Sequence, residues 1–191
     1  MGRLFQGVGN GENNLGKRVE GTNTFHAIKF ENMPKDKVKG ICYTSVVCEV
    51  KPGKKDPNST RITICGTNVC YPVDVGTNTE SLEIFKLMIN SVLFRAGAKY
   101  VCFDIENFYL STPLDKPEYV KTQLSKIPQE FIDEYDLNKF AHKGWVYFEI
   151  RRGCYGLPQL GILANNQLRM ILKKEGYFEA RTTPVLWRHK W

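Results

Sequence analysis

Val101-Cys102-Phe103-Asp104-Ile105-Glu106-Asn107-Phe108-Tyr109-Leu110 sets an aspartate in an otherwise apolar, β-prone run, with an aromatic residue five positions on. Alternation points Val101, Phe103 and Ile105 one way and Cys102 and Asp104 the other, so Ala98–Phe108 reads as a strand. A carboxylate among apolar neighbours on a strand is either paired structurally or holds a metal ion. Just upstream the period changes. Leu82, Phe85, Ile89 and Val92 recur at helical spacing, and Met88 and Leu93 widen the stripe. Thr79 to Arg95 is therefore expected to be a buried helix. Asn78 or Thr79 caps it, Glu80 and Glu83 suit its positive end, and Gly97 stops it.

Downstream, residues 127–141 read as a helix opened by Pro128, with Glu130, Asp133 and Glu134 early in it. Trp145–Arg151 alternates Val146, Phe148 and Ile150 against Tyr147, Glu149 and Arg151, a strand pattern. Arg151-Arg152-Gly153-Cys154-Tyr155-Gly156-Leu157-Pro158-Gln159-Leu160-Gly161 is a glycine-bearing corner, followed by a helix over Leu160–Lys174 that Gly176 ends. Toward the N-terminus, Phe25–Phe30, Tyr43–Val50 and Arg61–Cys65 with Val69–Tyr71 are strand candidates. Pro34-Lys35-Asp36-Lys37 and the basic Lys51–Pro57 stretch read as turns between them. Residues 1–20, rich in Gly and Asn, read as a flexible lead-in to one domain over 21–191. Gly7-Val8-Gly9-Asn10-Gly11 lacks the strand and helix that a phosphate loop needs on either side.

Composition narrows the class. A hydrophobic share of 42% over 191 residues excludes a disordered chain and suits one full domain. No apolar run approaches the ~18–20 residues of a membrane-spanning helix. The start, Met1-Gly2-Arg3-Leu4-Phe5, has no secretory h-region, so the expected location is intracellular, in cytoplasm or nucleus. The Asn58-Ser59-Thr60 sequon is discarded on the same ground. Six cysteines form no C-x-x-C and, with only three histidines, no zinc-ligand spacing; reduced, buried thiols are expected. The net charge of +7 is uneven: +4 over residues 1–60, +1 over 61–100, −4 over 101–150 and +6 over 151–191. Basic ends around an acidic middle fit either a solvated surface or contact with nucleic acid.

Taken in order, these stretches resemble the reverse transcriptases of copia-like long-terminal-repeat retrotransposons. That family's motif A, D-I-x-x-F/Y-L-x-T-P, is similar to Asp104-Ile105-Glu106-Asn107-Phe108-Tyr109-Leu110-Ser111-Thr112-Pro113. Its next motif, Y-G-L-P-Q-x-G, matches Tyr155-Gly156-Leu157-Pro158-Gln159-Leu160-Gly161. Arg61-Ile62-Thr63-Ile64-Cys65-Gly66 resembles the R-L-T-V-G-G of the fingers. Tyr71-Pro72-Val73-Asp74-Val75 and Thr183-Pro184-Val185-Leu186-Trp187-Arg188-His189 fit as well.

The resemblance implies an α+β fold, the fingers and part of the palm, with an antiparallel sheet and helices packed on one face. It implies an RNA-directed DNA polymerase that adds deoxynucleotides to a primer 3′-end on an RNA/DNA template by two-metal phosphoryl transfer. Asp104 and the carbonyl of Ile105 would hold Mg²⁺ or Mn²⁺, a hard cation that prefers oxygen. Tyr109 would lie beneath the incoming sugar, and Gln159 near its 3′-hydroxyl. Arg61 would reach the triphosphate with its guanidinium fork, assisted by Lys55 or Lys54. The family's Asp-Asp hairpin, thumb and ribonuclease H domain have no counterpart in these 191 residues, so the metal site is expected only with the missing carboxylates present. The chain by itself is expected to be inactive. Leu160, where relatives carry a small residue, faces either the nucleotide or the core. The alternative to a polymerase segment is a retroelement remnant, acting as a basic nucleic-acid-binding module or without function.

Overall fold

The computed structural model describes residues 24–50, 52, 53, 58–69, 71, 72, 74–77, 79–105 and 108–190. The expected lead-in over residues 1–20 and Lys54 and Lys55 lie outside them, as does the side chain of Arg61.

Five strands form the main sheet: β1 (Phe25–Ile28), β2 (Cys42–Val50), β3 (Asn58–Ile64), β4 (Pro113–Gln123) and β5 (Trp145–Arg152), in the order β1-β5-β4-β2-β3. Pairing is antiparallel except between β2 and β4, which run parallel through Cys42↔Val120 and Tyr43↔Lys121. Helices α1 (Lys35–Val38), α2 (Leu82–Leu93), α3 (Phe108–Ser111), α4 (Gln129–Glu134) and α5 (Leu160–Lys174) and a small hairpin of β6 (Tyr177–Glu179) with β7 (Trp187–His189) complete the described chain. The class is α+β with a mainly antiparallel sheet.

The alternation in β5 turns Val146, Phe148 and Ile150 into the core, where Phe148 meets Phe25 of β1 edge-on at 5.8 Å. Ile132 of α4 and Leu157 and Leu160 at the start of α5 close over that face. On the opposite face Tyr147 packs with Met33 and Ile41, contributed by the chain around α1. Strand β5 is therefore packed on both faces, on one by helices and on the other by connecting chain. Among the described residues no helix is long and apolar enough to cross a membrane.

Several expectations need correction. The Pro34–Lys37 stretch is largely a short helix, and Val69 and Tyr71 lie outside any strand. Residues 127–141 split into α4 and a 3-10 turn at Leu137–Phe140, because Asp136 takes a left-handed φ of 52° between them. Helix α2 forms, capped by Ser81, whose Oγ accepts the Ile84 N–H at 3.3 Å, yet it buries none of its residues. Residues 98–105 are not a strand either. Their alternating side chains allow one, but a strand needs a neighbour for its backbone groups, and none of the described strands pairs with them. Strand β4 has no counterpart in the sequence reading. Pro113 and Pro117 argue against a strand there, and the ladder tolerates them because its register shifts between Pro113 and Glu118.

Candidate functional site

The glycine corner after β5 is held by backbone against the end of β3. Ile64 N–H donates to the Tyr155 carbonyl at 2.7 Å, and Gly156, at φ +96°, lies so close that a Cβ would stand 1.9 Å from the Ile64 oxygen. Gly153 does the same for α3: its N–H donates to the Thr112 carbonyl at 2.7 Å, and a Cβ would fall 2.1 Å from the Tyr109 oxygen. The Tyr109 ring then meets the Tyr155 ring edge-on at 5.9 Å. At the start of α5, a Cβ at Gly161 would come within van der Waals reach of Thr77. Three motif-bearing segments thus converge: the strand that carries Arg61, helix α3 that carries Tyr109, and the corner that carries Gln159.

Gln159 itself points inward. It is 2% exposed, and its Nε2 donates to Glu118 Oε1 at 3.1 Å, while its Oε1 is buried with no partner among the described residues. Glu118 Oε2 lies 3.8 Å from Lys37 Nζ at the wall of a cavity of about 210 Å³, lined also by Cys42, Asn68 and Tyr119. Sequence reading missed Glu118 and Lys37. The signal was the alternation Glu118, Val120, Thr122 in a stretch whose prolines hid the strand.

Leu160 belongs to the core rather than to a nucleotide-facing wall. It is buried with Leu157 and Cys154, and its Cδ1 occupies the space where a side chain at Gly153 would go. The two buried thiols, Cys42 and Cys154, offer no nucleophile. Burial pushes Cys154 up to about 12 and raises Cys42 as well, against a backbone hydrogen bond from Asn68. Cys65 and Cys102 are exposed, a correction to the expectation of buried thiols, and all four described side chains are free.

Asp104 and Ile105 stand on the exposed run five and four residues before Tyr109, and among the described residues no hydrogen bond or ion pair ties either to the corner. Among the described residues no group of three or more His, Cys, Asp or Glu side chains converges. A pair of hard cations needs clustered oxygen donors, so the donors described around Asp104 do not by themselves suit Mg²⁺ or Mn²⁺.

Burial raises the Glu118 carboxyl above its ordinary value of 4.5, opposed by the Lys37 ammonium and the Gln159 hydrogen bond. The folded protein therefore holds this proton more tightly than the unfolded chain. The resulting stabilisation is full below pH 4.5 and is lost as pH rises through the raised folded value. Glu118→Gln keeps an oxygen for the Gln159 amide and removes the titration. Urea midpoints measured from mildly acidic to neutral pH should shift steadily in favour of the variant relative to the parent. A constant difference, or one that moves the other way, contradicts this assignment.

No protein-family profile matches the chain, and neither a curated protein sequence nor a solved structure matches it significantly.

Proposed function

We propose that this chain is a fingers-and-palm segment of a copia-like RNA-directed DNA polymerase, acting on an RNA/DNA template-primer and deoxynucleoside triphosphates. The observation that carries the reading is the ordered set of motifs from Arg61 to His189. The meeting of Tyr109, Tyr155 and the end of β3 supports it, since three sequence-distant motifs share one corner. In this reading Tyr109, partly exposed, forms the floor under the incoming sugar. Arg61 and Lys55 face the triphosphate, where guanidinium and ammonium groups pair with phosphate oxygens. Gln159 contributes to the nucleotide site only after its amide leaves Glu118. Asp104 and the Ile105 carbonyl supply metal-binding oxygens once further carboxylates join them.

The net charge of +7 suits a polyanionic partner. The test is primer extension by the 191 residues joined to the palm and thumb of an active polymerase of this class. Template-dependent incorporation supports the reading, and a folded fusion that incorporates nothing opposes it.

A further inference from the structure

A run of exposed apolar side chains lies on α2 and the residues after it. Phe94 is 91% exposed, Phe103 81% and Val101 75%, and Leu82, Leu93 and Ile105 are open as well. Phe85 meets Tyr100 edge-on at 6.4 Å, which ties the helix to the run. Residues 99–105 have neither turn nor helix, and no backbone hydrogen bond joins them to another described segment. An apolar, unpaired backbone of this kind is a template for strand addition.

We propose that residues 99–105 pair antiparallel with the same residues of a second copy of this chain, with Cys102 on the two-fold axis. Two strands related by a two-fold axis normal to their sheet must be centred on a residue, because facing residues share one face. Centring on Cys102 sets Val101 opposite Phe103 of the second copy, so the apolar face is continuous. It also sets the Tyr100 hydroxyl to donate to Asp104 of the second copy on the other face, and Cys102 opposite itself. Centring on Val101 would oppose Lys99 to Phe103, and centring on Phe103 would oppose Cys102 to Asp104; both mix apolar and charged partners. Charge agrees with self-association at this place. Residues 80–105 carry three acidic and three basic side chains in a chain of net +7, so two copies meet there without the repulsion of the basic ends. The inference concerns the 191 residues by themselves: where further carboxylates join Asp104, as the polymerase reading requires, they and the second copy compete for this run.

The test is the mass of the 191-residue chain in reducing buffer by sedimentation and light scattering across a concentration series, where a reversible dimer is expected. Val101→Lys and Phe103→Asp, both at exposed positions, should each weaken self-association about tenfold or more. An equimolar mixture of the two should recover the dimer, because the new ammonium and carboxylate then face each other and the remaining valine–phenylalanine pair is intact. Diamide, which takes up the two thiol hydrogens, should link Cys102 to Cys102 of the second copy; antiparallel partners lie within disulfide range. The link should persist in Cys65→Ser and vanish in Cys102→Ser. A monomer at every concentration overturns the proposal. So does a dimer indifferent to the substitutions at Val101 and Phe103, a mixture that stays monomeric, or a covalent dimer that survives Cys102→Ser.

Discussion

Gly156→Ala should lower the stability of the fold by about 2–5 kcal/mol, combining ~1–2 for a left-handed backbone with ~1–3 for overfilling a closed contact. The conformation alone does not produce so large a loss. Gly97 has a similar φ, +78° against +96°, but open space where its Cβ would go. Gly97→Ala should therefore cost only about 1 kcal/mol, the steric price of the conformation. At Gly156 the obstacle is the Ile64 carbonyl, part of a strand that cannot move aside without losing the Ile64–Tyr155 hydrogen bond. Urea denaturation of the two variants beside the parent measures the difference. Equal midpoints for Gly156→Ala and Gly97→Ala would mean that the corner and β3 are not in backbone contact.

Leu160→Ala should destabilise by about 2–5 kcal/mol, the range for emptying a close-packed site. Leu160 is buried among Cys154, Leu157 and the core face of β5, and it fills the space above Gly153. Its loss leaves a cavity at the junction that holds α3 against the start of α5, so the Tyr109–Tyr155 contact should loosen with it. Were Leu160 a nucleotide-facing residue instead, alanine would leave stability nearly unchanged. In the fused polymerase it would then improve incorporation at limiting nucleotide. The midpoint of urea unfolding separates these outcomes before any activity is measured.

Much of the fold is legible in local pattern. The helix over Leu160–Lys174 follows from its apolar repeat, its terminal lysines and Gly176, and it forms over those residues. The β5 alternation likewise predicts that Val146, Phe148 and Ile150 share one buried face, but not that Tyr147 on the other face is buried too. Local pattern does not say what an element packs against. The α2 stripe has helical spacing, and the helix forms, but burial needs a neighbour that its sequence does not encode. The same holds for residues 98–105, whose alternation permits a strand without supplying a partner. Strand β4 fails in the opposite direction: tertiary pairing and a register shift override two prolines and a charged composition. At the candidate site, Tyr109 and Gln159 stand out through their motifs. Glu118 gains meaning only once β4 sets its carboxylate against the Gln159 amide. Its pairing spans 41 residues, so the alternation of Glu118, Val120 and Thr122 marks its face but not its partner.

Joining the 191 residues to an active palm and thumb, and comparing primer extension with and without Asp104→Asn, tests whether this chain is a polymerase segment. Asp104 is exposed and makes no described hydrogen bond or ion pair, so the substitution should leave the unfolding midpoint in place. With Mg²⁺, the fusion should extend a primer on its template, and Asp104→Asn should reduce the rate by about a hundredfold or more, as loss of a metal-binding carboxylate does. Extension that is indifferent to Asp104→Asn would show that the chemistry does not pass through this residue, and the polymerase reading of the chain would fall.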